Sequence, residues 1–203
     1  MLEAWRGVFG CLALRVVLGP LAAGLLAVPL AGAASLEGQQ FPDRITLGES
    51  ELKLNGLGLR AVAIIRAYVV GLYLSERAGT EQAVVAAPGP KRIEIRMLRE
   101  ASAKDFTRAL VRGIRKNASP EELNRLQERI RQMEDAINLI GTVREGDRIT
   151  LDLDPARGML LGLNGQSRAE PIAGVDFYAA LLRIFVGADP VDERLKRALL
   201  AHL

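Results

Sequence analysis

The stretch Leu54–Leu74, LNGLGLRAVAIIRAYVVGLYL, decides how the rest of the chain is read. From Arg60 to Leu74 it is dominated by Val, Ile and Tyr, side chains that pack well on a pleated surface. The run is too apolar for a strand with one wet face. It predicts a single central strand over residues 60–74, covered on both sides. Gly71 within it marks a close approach or a bulge. Just upstream, Asn55-Gly56 is a turn signal, strengthened by Gly58.

The polar residues inside this run carry the functional question. If the strand is regular, Arg60, Val62, Ile64, Arg66, Tyr68 and Val70 share one face. A guanidinium on a largely apolar face is costly unless paired. It calls for an anionic partner, either a protein carboxylate or a ligand. Arg99 raises the same question at the end of a later strand. The plain alternative is that Arg60 and Arg99 mark strand ends and snorkel to water. Tyr68 and Tyr73 read as core residues with satisfied hydroxyls.

Working outward, 44–47 and 51–54 are short strands joined by a hairpin turn at Gly48-Glu49-Ser50. Thr80 caps a short helix that Pro88-Gly89-Pro90 stops. Residues 91–99, KRIEIRMLR, alternate as a strand, with Ile93, Ile95, Met97 and Arg99 on one face. Ser102 caps a helix to about Asn117, buried along Phe106, Ala109, Leu110 and Gly113. Ser119-Pro120-Glu121-Glu122 opens the next helix as a capping box with Pro at its first position. Leu123, Leu126, Ile130, Met133 and Ile137 line its inner side. Strands follow at 147–153 and 159–163, with a turn at Asn164-Gly165 and a return strand over 166–172. Helices at 175–186 and 190–201 end the chain. Asp152 and Asp154 read as a solvent-facing strand end. The order of strands, helices, strands and helices predicts an α+β fold, an antiparallel sheet with helices on one face.

Bulk properties narrow the function. Arg6 and Arg15, the apolar run Val16–Leu30 and the small residues Ala31-Gly32-Ala33 have the order of a cleaved secretory signal. The run is short for a bilayer span, which takes ~20 apolar residues, and Gly19-Pro20 breaks it. Residues 1–34 are therefore expected to be a signal peptide and 35–203 one domain, periplasmic or secreted, with no stable membrane span after processing. The net charge of +3 barely changes on removal of this segment. Charges of both signs are mixed along the chain, which argues against a nucleic-acid partner. The only Cys, Cys11, leaves with the leader, and the only His, His202, is next to last. No disulfide, thiol catalysis, His-based triad or metal site is expected, and no cofactor motif is present.

Several features together resemble the chalcone isomerase-like family. They are Gly56-x-Gly58-x-Arg60 leading into the long strand, its ending Tyr68-x-x-Gly71-x-Tyr73-Leu74, and Pro88-Gly89-Pro90-Lys91-Arg92 before a strand ending at Leu98-Arg99. The amphipathic helix pair, Asn164-Gly165 and Pro190-Val191-Asp192 follow in order. The likeness spans nearly all of 35–203 and looks like the family's exported bacterial branch. It implies an open-faced β-sandwich of the α+β class, with a ligand cleft between the sheet and the helical layer. The family's plant enzymes close chalcones to flavanones using an Arg near the start of the long strand, a Thr within it, and Lys, Tyr and Asn from the helical side. Its fatty-acid-binding branch holds a carboxylate with an Arg and a Tyr.

Residue by residue, the resemblance places Arg60 as the Arg and Tyr68 where the enzymes have Thr, the pattern of the binding branch. Asn117 stands for the helical Asn and Lys104 is the nearby Lys. No Tyr occurs between Tyr73 and Tyr178, so the helical Tyr has no counterpart. The set for cyclisation is incomplete. The expected function is a non-catalytic binder of a small apolar or amphipathic ligand bearing a carboxylate, fatty-acid-like. The alternatives are an isomerase acting on a chalcone-like molecule, and a structural or partner-binding module. Arg60 and Tyr68 lie roughly 26 Å apart on a regular strand. Shared contact with one carboxylate therefore requires a bend, a bulge or a turn that folds Arg60 back. Arg66, two residues from Tyr68, is the rival for the head group. Arg99 and Asn117 complete the candidate ligand contacts.

Overall fold

A computed structural model describes residues 32–201. Residues 1–31, which hold most of the expected signal peptide and Cys11, and residues 202–203, which include His202, lie outside the described residues. The chain begins with a hairpin of β1 (Ala33–Leu36) and β2 (Gln39–Pro42), followed by β3 (Arg44–Leu47), β4 (Ser50–Val62) and β5 (Ile65–Leu74). Next come α1 (Glu81–Ala86), β6 (Lys91–Met97), β7 (Ala101–Ser102), α2 (Ala103–Asn117), α3 (Pro120–Asn138) and β8 (Thr142–Val143). The chain continues through β9 (Arg148–Asp154), β10 (Gly158–Leu163), β11 (Gln166–Ser167), α4 (Val175–Val186) and α5 (Glu193–Leu200). Seven strands form one antiparallel sheet in the order β11-β10-β9-β6-β5-β4-β3. This is the α+β architecture expected.

Alternation along the strands builds two cores. Val70, Leu72, Ile93, Ile95, Ile149 and Leu151 face the helices and join the larger one. Val69, Tyr73, Leu52, Leu54 and Leu57 face the other way and are covered with Phe41 of β2. Gly71 is the predicted close approach: a Cβ there would lie 2.7 Å from the Phe41 ring. Helix α4 is apolar nearly all round, as a helix buried between layers must be. Helix α2 crosses it closely at Gly113, where a Cβ would meet Ile184 at 2.7 Å.

The local signals at Thr80, Ser102 and Ser119 hold. Each hydroxyl accepts the expected backbone N–H of its helix. The Gly48-Glu49 turn and the Asn164-Gly165 turn also form, the latter with positive φ at both residues. Glu122 does not close the capping box. Its carboxylate instead takes the Arg183 guanidinium at 2.6 and 3.0 Å, a stronger charge-assisted partner.

Residues 60–74 are not one strand. The chain reverses at Ala63-Ile64, and β4 and β5 form a long hairpin. No Gly, Pro or Asn announces this turn. Ala63 takes a φ of 52°, and Ile64 is 97% exposed at the tip. The Asn55-Gly56 turn is also a misreading, because both residues lie within β4, where the ladder slips. Asn55 is buried and its side chain works as a clamp. Nδ2 donates to Ala78 O at 3.0 Å and Leu199 O at 2.7 Å, and Oδ1 accepts from Ala78 N at 2.7 Å. Gly56 admits the carbonyls of α5, which would lie 2.4 Å from a Cβ.

Asp152 is not solvent-facing. It is buried on the sheet face away from the helices and takes Arg92 in a fork, Nε to Oδ1 and Nη2 to Oδ2, both at 2.6 Å. Tyr178 donates its hydroxyl to Leu151 O at 2.9 Å. Tyr73, expected to be satisfied, buries a hydroxyl with no partner among the described residues.

Candidate functional site

The β4–β5 hairpin makes Arg60 and Tyr68 direct cross-strand partners. The large separation of a regular strand disappears because the chain folds back between them. Both side chains belong to the helical face. Tyr68 packs against the larger core, and Arg60 reaches Asp192, the N-cap of α5.

The rival, Arg66, goes elsewhere. Arg60 pairs with Tyr68 but Ala61 pairs with Arg66, so Ala67 is an extra residue in β5. Cross-strand partners share a face, and neighbours on β4 alternate. Arg66 therefore lies on the face opposite Tyr68. There its Nη1 donates to Glu37 Oε2 at 2.5 Å. Arg99 is exposed beyond the end of β6 and is not brought to Arg60.

The Arg60 guanidinium is anchored at one nitrogen. Nη1 donates to Asp192 Oδ2 at 2.9 Å and to Ala61 O at 2.6 Å. Among the described residues, Nε and Nη2 have no carboxylate partner, and the Tyr68 hydroxyl lies within hydrogen-bonding reach of the guanidinium. Burial opposes the charge on Asp192. The N–H groups of Leu195 and Arg194 and the Arg60 guanidinium overcome this and hold its pKa below the ordinary value. Burial pushes the Tyr68 phenol up to about 12, with Arg60 pulling the other way. At neutral pH Tyr68 is thus a neutral hydroxyl, able to donate a hydrogen bond beside a fixed cation.

A cleft of about 220 Å³ opens next to Arg60, between α2 and the segment before α5. Ala109, Gly113, Pro190 and Val191 give it a small-residue, largely apolar wall, Arg112 and Lys116 add two cations, and Asp189 adds one carboxylate. Ala109, expected in the buried stripe, is exposed and lines this wall. Asn117 supports the wall from behind. Nδ2 donates to Gly113 O at 3.0 Å and Asp189 O at 2.8 Å, and Oδ1 accepts from Asp189 N at 3.0 Å. Both amide protons are thereby used, so Asn117 positions the Asp189 segment and does not face the cleft.

Sequence reasoning missed Asp192, Arg112 and Lys116. Asp192 had a local signal, since Asp is a preferred cap, but no local signal ties it to Arg60 across the fold. The cleft presents cations and hydrogen-bond donors around an apolar wall. That combination is chemically suited to an anionic head group, which charge-assisted hydrogen bonds would orient.

Fold and site together define an open-faced α+β sandwich with a cleft between α2 and the segment before α5, reached from the sheet by Arg60. The family model described as chalcone isomerase-like matches residues 33–201. The chain belongs to the chalcone isomerase-like family. Among solved structures, an Arabidopsis thaliana fatty-acid-binding protein matches with a TM-score of 0.65 at 14% identity, covering 83% of this chain and 96% of that one. At that identity the likeness is one of fold. No curated protein matches the sequence. Among the described residues, no helix is long and apolar enough to cross a membrane.

Proposed function

We propose that this chain is a non-catalytic binder of a small, largely apolar ligand bearing a carboxylate, with Arg60 and Tyr68 holding the head group. The observation that carries this reading is the cross-strand pair itself. It sets a hydroxyl beside a guanidinium whose Nε–Nη2 edge has no carboxylate partner among the described residues. A carboxylate fits such an edge with two parallel hydrogen bonds. The fatty-acid-binding protein of like fold supports the same ligand class. At about 220 Å³ the cleft accommodates a head group and a short apolar segment. It is smaller than the ~300–1,000 Å³ usual for a ligand pocket, so a longer chain requires α2 to shift.

Calorimetric titration with saturated fatty acids of graded length tests the assignment. Arg60→Ala is expected to weaken binding at least tenfold and Tyr68→Phe less, with Arg66→Ala unchanged. Loss in Arg66→Ala with no loss in Arg60→Ala transfers the head group to Arg66. No loss in any of the three defeats the carboxylate reading. The wild-type protein should not cyclise a hydroxychalcone above the uncatalysed rate. Tyr68 takes up space where the enzymes carry Thr, and α2 supplies no Tyr.

We also propose that the protein belongs to the exported bacterial branch of the family and is cut close to Ala34. The leader sequence supports this reading. Intact mass of the exported protein tests it, and retention of residues 1–30 would sink it.

A further inference from the structure

Helix α2 carries a column of cations, Lys104, Arg108, Arg112 and Lys116, each four residues after the last and all exposed. Arg115 lies beside them. These side chains line a groove of about 580 Å³ between α2 and α3, in which Glu134 is the sole acidic lining residue. Arg108 has Asp105 as an exposed partner at 2.9 Å. Lys104, Arg112, Arg115 and Lys116 have no ion-pair partner among the described residues.

This arrangement works against the helix that carries it. Like charges four residues apart repel. Lys104 also sits in the first turn, where the helix dipole disfavours a cation. The chain as a whole carries a net charge of only +3, so the column is a segregated field and not the average surface. It runs about 18 Å along α2, too long for a single small anion.

A second feature lies at the same end of the helix pair. Ala103 N donates to Gly141 O at 2.6 Å, which joins the start of α2 to the end of α3. Leu139, which caps α3, is 81% exposed there, next to Asn138 of the groove. A basic, grooved face flanked by an exposed Leu is complementary to a bilayer with anionic lipids. Cations meet the phosphates and the apolar side chain enters the boundary.

We propose that the α2–α3 face docks on an anionic lipid surface. Arg112 and Lys116 line both the groove and the Arg60 cleft. Docking therefore sets the cleft beside the membrane, where an amphipathic ligand is concentrated. The docking itself does not depend on ligand occupancy, so it stands or falls separately from the binding reading.

The test is co-sedimentation of the full chain with vesicles of phosphatidylcholine alone or mixed with phosphatidylglycerol. The leader is common to every variant, so differences between variants belong to this face. Binding is expected to rise with the phosphatidylglycerol fraction and to fall with added salt. Lys104→Gln with Arg115→Gln is expected to lower partitioning roughly 30-fold, at about fivefold per cation. Leu139→Ser is expected to lower it several-fold. Thermal unfolding and fatty-acid titration of the same variants establish that they remain folded and ligand-competent. Equal binding to both vesicle types overturns the proposal, as does an unchanged affinity in the double variant. Capture on poly-glutamate without binding to phosphatidylglycerol vesicles overturns the lipid assignment.

Discussion

Arg60 and Tyr68, eight positions apart in sequence, face each other across the β4–β5 ladder, and Arg66, two positions from Tyr68, faces away. One bulge at Ala67 produces both outcomes. It gives the helical face a cation and a hydroxyl side by side, and it sends the competing cation to Glu37 on the other face. Deleting Ala67 would make the ladder regular with the same two pairs, and Arg66, then next to Tyr68 in the chain, would still face away from it.

Asp192 competes with any ligand for Arg60. Asp192→Asn keeps a good N-cap for α5 but removes the charge. The freed Nη1 then makes Arg60 a stronger anion site. Fatty-acid affinity is expected to rise several-fold by calorimetry, and Arg60→Ala in the same background should erase the gain. A lower affinity in Asp192→Asn would mean that the carboxylate is needed to orient Arg60.

The Arg92–Asp152 fork is largely withdrawn from water, with side chains 18% and 9% exposed. Asp152→Ala strands a guanidinium on the sheet and is expected to cost about 3–5 kcal/mol in denaturant unfolding. Replacing both partners, Arg92→Met with Asp152→Leu, should recover most of that loss. If the double variant is no better than the single one, the cost lies in packing and not in the unpaired charge.

Gly56 is where α5 comes closest to the sheet. Gly56→Ala sets a methyl group against two backbone carbonyls, which cannot swing aside as a side chain can. The expected loss is about 2–3 kcal/mol, measured as a lower unfolding midpoint. A variant as stable as wild type would show that α5 rides freely on β4.

Four carboxylates among the described residues have depressed pKa values, Glu121 being held down by its own backbone N–H and the Ser119 hydroxyl. Asp176 is held down chiefly by Arg129, Asp147 by the Arg144 N–H, and Asp192 by its cap bonds and Arg60 against the effect of burial. A depressed folded pKa contributes stability that is complete above the unfolded value of about 3.9 and is lost as pH falls through the folded value. The urea midpoint should therefore hold down to about pH 5 and drop below about pH 4, with a shallower drop in Asp176→Asn. A midpoint unchanged down to about pH 3 would contradict this.

The amphipathic helices and their caps were legible because each signal is local. Ser102, Ser119 and the Leu126–Ile137 stripe act within one or two turns. The long hairpin was not legible, because its turn uses Ala63-Ile64, residues that announce nothing, while Asn55-Gly56 announces a turn that the fold spends on contacts with α5. The resemblance to the family placed an Arg at the head of the site, yet residue spacing alone set Arg60 and Tyr68 far apart. Only the reversal of the chain joins them. Asp152 was misread for a related reason, since its partner lies 60 positions away on the neighbouring strand.

The tyrosines carry a consequence for spectroscopy. All three in the sequence, Tyr68, Tyr73 and Tyr178, lie within the fold, and burial raises the pKa of each. Tyr68 stands at about 12 and the other two are likewise raised, so the native protein should give almost no tyrosinate absorbance near pH 10, where free phenols are half ionised. The sole Trp, Trp5, falls in the segment proposed to be cut off as a leader. If processing occurs near Ala34 as proposed, the emission of the mature protein is that of tyrosine alone. Appearance of tyrosinate under mild alkali then becomes a direct optical clock for opening of the fold, with no added dye and no engineered label.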